Sequence, residues 1–212
     1  MVRFKAGAAI LAAVVTLAVA GCGSSSKSVQ SSAITADLTG LVRDNSSAPT
    51  IIYKRPGAPT FAAYNKFIVE PPRVDYTDPK MKELSPRSVR RMQLYFYDAV
   101  IKELREGGYT VGTRTEPNTM RISFVISGLK APNAMPNIVA AFAPVAISVG
   151  EVTVEGIFSD AVTRRIDAVA LDRAAGSRVL NSKPWSTWAD VESAFDTWAE
   201  GIRGAIDKAN GR

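Results

Sequence analysis

Apolar residues recur at helical spacing in two parts of the chain. Val89, Met92, Phe96, Ala99, Val100 and Leu104 stand three or four apart and predict an amphipathic helix with one buried face. Ser85 is placed to be its N-cap, with Pro86 at the first helical position. Gly107-Gly108 stops it near Glu106. A second stripe, Trp188, Val191, Phe195, Trp198, Ile202 and Ile206, predicts a helix from about Thr187 to Lys208. Thr187 with Asp190 approximates a capping box, and Trp185 stands where a hydrophobic staple would.

Elsewhere the period is two. Met120, Ile122, Phe124 and Ile126 alternate with smaller or polar residues, which predicts a strand over Met120 to Ser127. Phe61 to Glu70 reads as another, with Phe61, Ala63, Phe67 and Val69 on one face, and Pro71-Pro72 ends it. Ile51-Ile52-Tyr53 has the makings of a short edge strand. Glu151 to Asp160 and Arg164 to Arg173 read as a hairpin with Ala161-Val162-Thr163 as its loop. That register opposes Phe158 to Ile166 and Val154 to Ala170, and gathers Val152, Val154, Phe158, Ile166, Ala168 and Ala170 on one face. It also sets Asp160 against Arg164 and Glu151 against Arg173. The order is strand, helix, strand, hairpin, helix. The expectation is an α+β fold, a two-layer sandwich with a mainly antiparallel sheet of about four strands and two amphipathic helices on one face.

The N-terminus follows a different pattern. Arg3 and Lys5 precede an uncharged run, Ala6 to Ala20, that is too short for the roughly 20 residues a bilayer core requires. Leu17-Ala18-Val19-Ala20-Gly21-Cys22 then places small residues before the chain's single cysteine. This is a lipobox and resembles the bacterial lipoprotein signal, which implies cleavage between Gly21 and Cys22, lipidation of Cys22 on sulfur, and usually an added amide-linked acyl chain such as palmitate. Residues 1–21 are therefore expected to be a signal peptide. Several acyl chains anchor stably where one does so only marginally. Residues 22–33 are expected to form a lipidated, Ser-rich tether, whose ten residues from Gly23 to Ser32 reach about 17 Å as a flexible coil. Residues 34–212 form a single domain. Gly23 after the cysteine, rather than Asp, favours the periplasmic face of the outer membrane.

Composition narrows the chemistry. The chain has 212 residues, 46% hydrophobic and 22% charged, which fits one ordinary domain rather than a disordered chain. It has no histidine, which excludes Ser-His-Asp and Cys-His catalysis and imidazole metal ligands. One cysteine excludes an internal disulfide and a thiolate zinc site. Removing the signal takes away Arg3 and Lys5 and no acid, so the formal net charge falls from +6 to +4. The excess is spread along the chain as a solvated basic face, not as a nucleic-acid footprint. No cofactor or metal is implied, and no phosphate-binding glycine loop occurs.

Several pieces are familiar together: Tyr53-Lys54-Arg55-Pro56-Gly57-Ala58, Tyr64 to Pro71, Val149 to Glu155, Asp160-Ala161-Val162-Thr163, and Trp185-Ser186 with Ala194-Phe195-Asp196-Thr197-Trp198-Ala199. Over about Ile34 to Arg203 the chain resembles the bacterial lipoprotein family called domain of unknown function 3313. The resemblance implies an envelope location and no particular activity. The family often carries Thr-Gly-Glu where this chain has Thr163-Arg164-Arg165, which puts the loop's conformation in question.

Three features compete as sites. Ala131 to Gly150 is uncharged, and Pro132, Pro136 and Pro144 argue against a membrane-spanning helix. It reads either as a connection wrapping the sheet or as an apolar contact loop, with Met135, Ile138, Val139, Phe142 and Val145 touching lipid or a partner. Glu151, Glu155, Asp160, Asp167 and Asp172 crowd the hairpin. Two such groups could do acid–base work on a glycoside, but Glu155 and Asp167 are expected on an outward, solvated face. Trp188 and Trp198 belong to the apolar stripe and are expected in the core, and Trp185 is freer to form a sugar platform. A Ser-x-x-Lys spacing, Ser24 to Lys27, lies in the tether, with no fold to hold it. The reading is a lipid-anchored envelope protein, non-enzymatic, an accessory or binding module whose partners are the membrane and an envelope protein, glycan or lipid. The alternatives are a periplasmic enzyme on glycan or lipid and a lipid-transport auxiliary.

Overall fold

The computed structural model describes residues 34–47, 50–77, 79–130, 151–175 and 188–212. Gly21, Cys22, Trp185, Thr187 and the apolar stretch with Met135, Ile138, Val139, Phe142 and Val145 lie outside them. In chain order the elements are β1 (Val42–Asp44), β2 (Ile51–Lys54), β3 (Lys66–Val69), β4 (Arg73–Val74), α1 (Pro86–Glu106), β5 (Thr110–Val111), β6 (Thr119–Lys130), β7 (Glu151–Asp160), β8 (Ile166–Ala175) and α2 (Ala189–Ala209). The fold is α+β, with one mixed sheet of eight strands in the order β1-β2-β8-β7-β6-β3-β5, and β4 beside the far end of β6.

The expectation of about four mainly antiparallel strands is corrected in number and direction. β3 runs parallel to both β6 and β5. A strand returning through a helix to the same sheet runs parallel to its predecessor, and α1 is that helix. β1, β2, β4 and β5 have two to four residues, too short to show an alternation. Ile51–Lys54 is not an edge, because β1 pairs on its outer side. The predicted strand from Phe61 is shorter: Phe61–Ala63 is a 3₁₀ turn, and Tyr64 is buried.

Both helices lie on one face of the sheet. Ser85 caps α1, its hydroxyl accepting from the Ser88 N–H at 3.1 Å. Val89, Met92, Phe96, Val100 and Leu104 are buried, as the stripe predicts. In α2, Val191, Phe195 and Ile206 are buried, and Trp198 and Ile202 pack part-buried against them. The N-cap is Trp188, which makes no side-chain cap bond, and the expected Thr187 capping box lies outside the described residues. Phe96 of α1 stacks on Phe195 of α2 with ring centroids 4.6 Å apart, and tilts against Phe124 of β6 at 4.7 Å. Polar bonds flank the helix pair. Arg91 meets Glu192 at 2.8 Å, and the Tyr95 hydroxyl donates to Asp196 at 2.8 Å.

The hairpin keeps its faces but not its register. Phe158 opposes Ala168 and Val154 opposes Asp172, two residues on from the expected pairing. A shift of two preserves side-chain parity, so Val152, Val154, Phe158, Ala168 and Ala170 do share the core face. Ile166, expected with them, does not, because the register slips between Phe158 and Ser159 and sets it opposite Ser159. The loop is longer: the Arg164 N–H does donate to the Asp160 carbonyl at 2.9 Å, but the Asp160 side chain turns into the loop instead of meeting the Arg164 side chain. Asp160 Oδ1 accepts from the N–H groups of Val162 (3.1 Å) and Thr163 (2.7 Å) and from the Thr163 hydroxyl (2.9 Å). Arg164 then sits at φ 60, a left-handed conformation that favours glycine. Glu151 and Arg173 do form an ion pair, diagonally across the two strands.

The other face of the sheet is not the solvated one expected. Val125, Glu155, Leu171 and Ile51 lie in one row across it and all are buried. Glu155 is 1% exposed. Its carboxylate accepts from the Thr35 N–H at 2.9 Å, the Thr35 hydroxyl at 2.6 Å and the Ala36 N–H at 2.8 Å. Parity places Glu155 outward correctly. What buries it is a segment 120 positions earlier in the chain.

Glu155→Gln turns one acceptor into a donor facing N–H groups and is expected to cost about 1–3 kcal/mol in thermal or urea melts, with faster proteolysis at residues 34–36. In the loop, Asp160→Ala should cost about 1 kcal/mol, as loss of a cap does. The Thr163 N–H above all holds the Asp160 carboxyl below its usual pKa, against an opposing push from burial. The loop's contribution is therefore complete above about pH 4 and fades as pH falls through the lowered value. Arg164→Gly should recover roughly 1 kcal/mol by removing left-handed strain.

Candidate functional site

Two helices do not cover a sheet this wide. Beyond α2, the helix-bearing face continues over β8 and β2, and the space beneath α2 opens into an apolar groove of about 500 Å³. Its floor is made of small residues: Gly156 of β7 and Ala168 and Ala170 of β8. Trp198, Gly201, Ile202 and Ala205 of α2 form one wall, and Ile52 of β2 the opposite lip. Phe61 and Phe158 stand towards one end, with Phe124 and Phe96 deeper.

Local chemistry explains why the groove is open. At Gly156 an added Cβ would lie 3.3 Å from the Phe158 ring and 3.5 Å from the Phe124 ring, so those rings settle on a glycine floor. At Gly201, mid-helix, an added Cβ would meet nothing within 4 Å. A helix normally gains from alanine over glycine at such a position. Gly201 is exposed at the groove's rim, and among the described residues nothing occupies the place of its side chain.

The polar groups of the groove stand at its ends. Asp172 Oδ2 accepts from the Trp198 indole N–H at 3.1 Å and the Thr50 hydroxyl at 3.0 Å. Its Oδ1 accepts from the Arg173 N–H at 2.7 Å. At the other end Lys54 pairs with Asp44 at 2.7 Å. There the groove adjoins a second cavity of about 230 Å³, which shares Lys54, Phe61, Phe158 and Ala168 with it and adds Arg55.

The carboxylates singled out in the sequence are not brought together as an acid–base pair. Each is held by structural partners: Glu151 by Arg173, Glu155 by the Thr35 segment, Asp160 by its turn, and Asp172 by Trp198 and Thr50. Asp167, expected to be solvated, is 4% exposed and accepts from the Tyr64 hydroxyl at 2.8 Å and Arg165 Nε at 2.7 Å. Burial, followed by the hydrogen bond to this carboxylate, pushes the Tyr64 hydroxyl pKa well up. Among the described residues no cluster of acids could hold a metal ion, and no helix is long and apolar enough to cross a membrane. Trp188 is buried as expected. Trp198 is not wholly core, because one side packs edge-on to Phe96 and the other lines the groove. The groove itself is missed by sequence reading. Its signal was present in Gly156, Ala168 and Ala170, residues too small to fill a core at core-facing strand positions.

The architecture defines a class: an α+β layer pair with an apolar groove and, among the described residues, no assembled catalytic set. Within that class the chain belongs to the family described as protein of unknown function (DUF3313), which matches residues 30–202. No curated protein matches it. Solved structures with a similar outline include the PelC dodecamer protein of Paraburkholderia phytofirmans, 12% identical with a TM-score of 0.46 over 74% of this chain and 96% of that one. A Xanthomonas campestris protein is 11% identical with a TM-score of 0.44, covering 74% and 91%. A minor lipoprotein of Acinetobacter baumannii is 10% identical with a TM-score of 0.32, covering 68% and 92%. Likeness at this level adds nothing to the argument about function.

Neighbouring residues on the groove wall should respond oppositely to truncation and extension. Gly201→Ala is expected to raise stability by about 0.5–1 kcal/mol. Trp198→Ala should cost about 2–3 kcal/mol, less than the 3–5 of a fully buried aromatic, as read by denaturant melts.

Proposed function

We propose that this chain is a lipid-anchored protein of the bacterial cell envelope, non-enzymatic, whose domain binds an apolar ligand in the groove beneath α2. The observation that carries the reading is the groove: about 500 Å³, apolar walls, a floor of Gly156, Ala168 and Ala170, and a helix glycine that leaves it unfilled. Pockets of a few hundred Å³ with few polar groups suit small-molecule ligands. Residues 1–21 act as the signal peptide, Cys22 takes the lipid, 22–33 form the tether and 34–212 the domain. The lipid confines the domain to a thin layer at the periplasmic face of the outer membrane and raises its effective concentration for a ligand or partner there.

A second reading, a lipid-transport auxiliary, is favoured by the same groove and differs in whether the ligand is handed on. The enzyme reading is weakened, because the hairpin carboxylates are committed to structural bonds.

The anchor and the groove are tested separately. Cys22→Ala should leave the protein uncleaved or soluble on fractionation, and mature protein still in the membrane fraction would refute the anchor. Native mass spectrometry of the protein isolated from the envelope should show a bound small molecule. Gly201→Phe, whose side chain enters open space, should remove it without lowering the melting temperature.

A further inference from the structure

Resting on the groove as the ligand site, the structure assigns a ligand chemistry, and we infer that it holds a single-chain anionic amphiphile. The acyl chain lies along the small-residue floor under Trp198 and Ile202, and the anionic head sits at Lys54 and Arg55.

Shape gives the chain. Ala168 and Ala170 follow β8 in the same facing row, with Gly156 of β7 opposite Ala170. The groove joins the second, smaller cavity through Lys54, Phe61, Phe158 and Ala168, which line both. The hollow is therefore elongated along the strands, with Gly156, Ala168 and Ala170 as the small residues of its floor and Val154 beside them. An extended polymethylene chain fills such a hollow, whereas a fused-ring ligand would need width.

Charge gives the head and its direction. At one end Asp172 already accepts three hydrogen bonds, from Trp198, Thr50 and the Arg173 N–H, so it has little left to offer a cationic head and would repel an anionic one. The other end is basic. Arg55 donates through Nε to the Ile166 carbonyl at 2.8 Å and through Nη2 to the Thr39 carbonyl at 3.1 Å, two uncharged acceptors. Lys54 has 60% of its side chain exposed and can turn from Asp44 towards a head group. The acids facing this end are accounted for. Asp44 answers Lys54, Asp167 is bound to Arg165 and Tyr64, and Asp37, held by the Thr39 hydroxyl and N–H, is exposed and lies within the field of Arg55, so it offsets part of that charge.

The test uses the mature full-length protein with cis-parinaric acid as a fluorescent acyl probe, displaced in parallel by hexadecanoate and by hexadecanol below their aggregation limits. The expected result is saturable probe binding, with hexadecanoate displacing it more tightly than the alcohol of equal length. Lys54→Gln should weaken the acid about threefold, the effect of one exposed ion pair, and leave the alcohol unchanged. Gly201→Phe should weaken both about tenfold or more. No saturable probe binding, equal displacement by acid and alcohol, or indifference to Gly201→Phe would each overturn the inference. A protein that carries an envelope molecule lost in Gly201→Phe, yet ignores parinaric acid, keeps its binding role and loses this ligand.

Discussion

Phe96 is the contact on which the rest of the domain depends. Its ring stacks on Phe195, tilts onto Phe124 and takes the edge of Trp198, so one side chain of α1 fixes α2 and seats both helices on β6. Aromatic pairs at these spacings contribute beyond their buried area. The position of α2 decides everything beside it. Trp198 and Ile202 become a wall because Phe195, on the same helix, is held over the middle of the sheet. The groove is the part of the sheet that this arrangement leaves uncovered.

Long elements were legible in the sequence because their periods ran far enough to be counted. The α1 stripe from Val89 to Leu104, the β6 alternation from Met120 to Ile126 and the hairpin faces all appear where the pattern put them. The hairpin register was out by two, a slip that leaves parity intact and so leaves no trace in a hydrophobic pattern. The information that decides it lies in Asp160, whose three acceptor contacts lengthen the loop. Arg164 takes a left-handed φ there, a conformation that glycine holds without strain.

What could not be read locally are contacts between distant parts of the chain. Glu155 looks like a solvent-facing charge in its strand, and only the Thr35 segment makes it a buried one. Parallel pairing of β3 with β6 was readable in principle, since a strand, a helix and a strand in succession call for a crossover. Among the described residues the groove is a property of counting: eight strands against two helices. No single residue announces it, though small residues at core-facing positions of β7 and β8 mark its floor.

Glu155 and Gly156 are adjacent in β7 and face opposite ways, one gripping the incoming chain and the other flooring the groove. β7 is also the middle strand of the seven-strand path. A pull on the chain before Thr35 therefore enters the sheet at its centre rather than peeling an edge strand. The first thing to give is the bond set between Thr35, Ala36 and the Glu155 carboxylate. That release frees the chain up to β1 before any strand parts, so these bonds work as a mechanical fuse for the sheet.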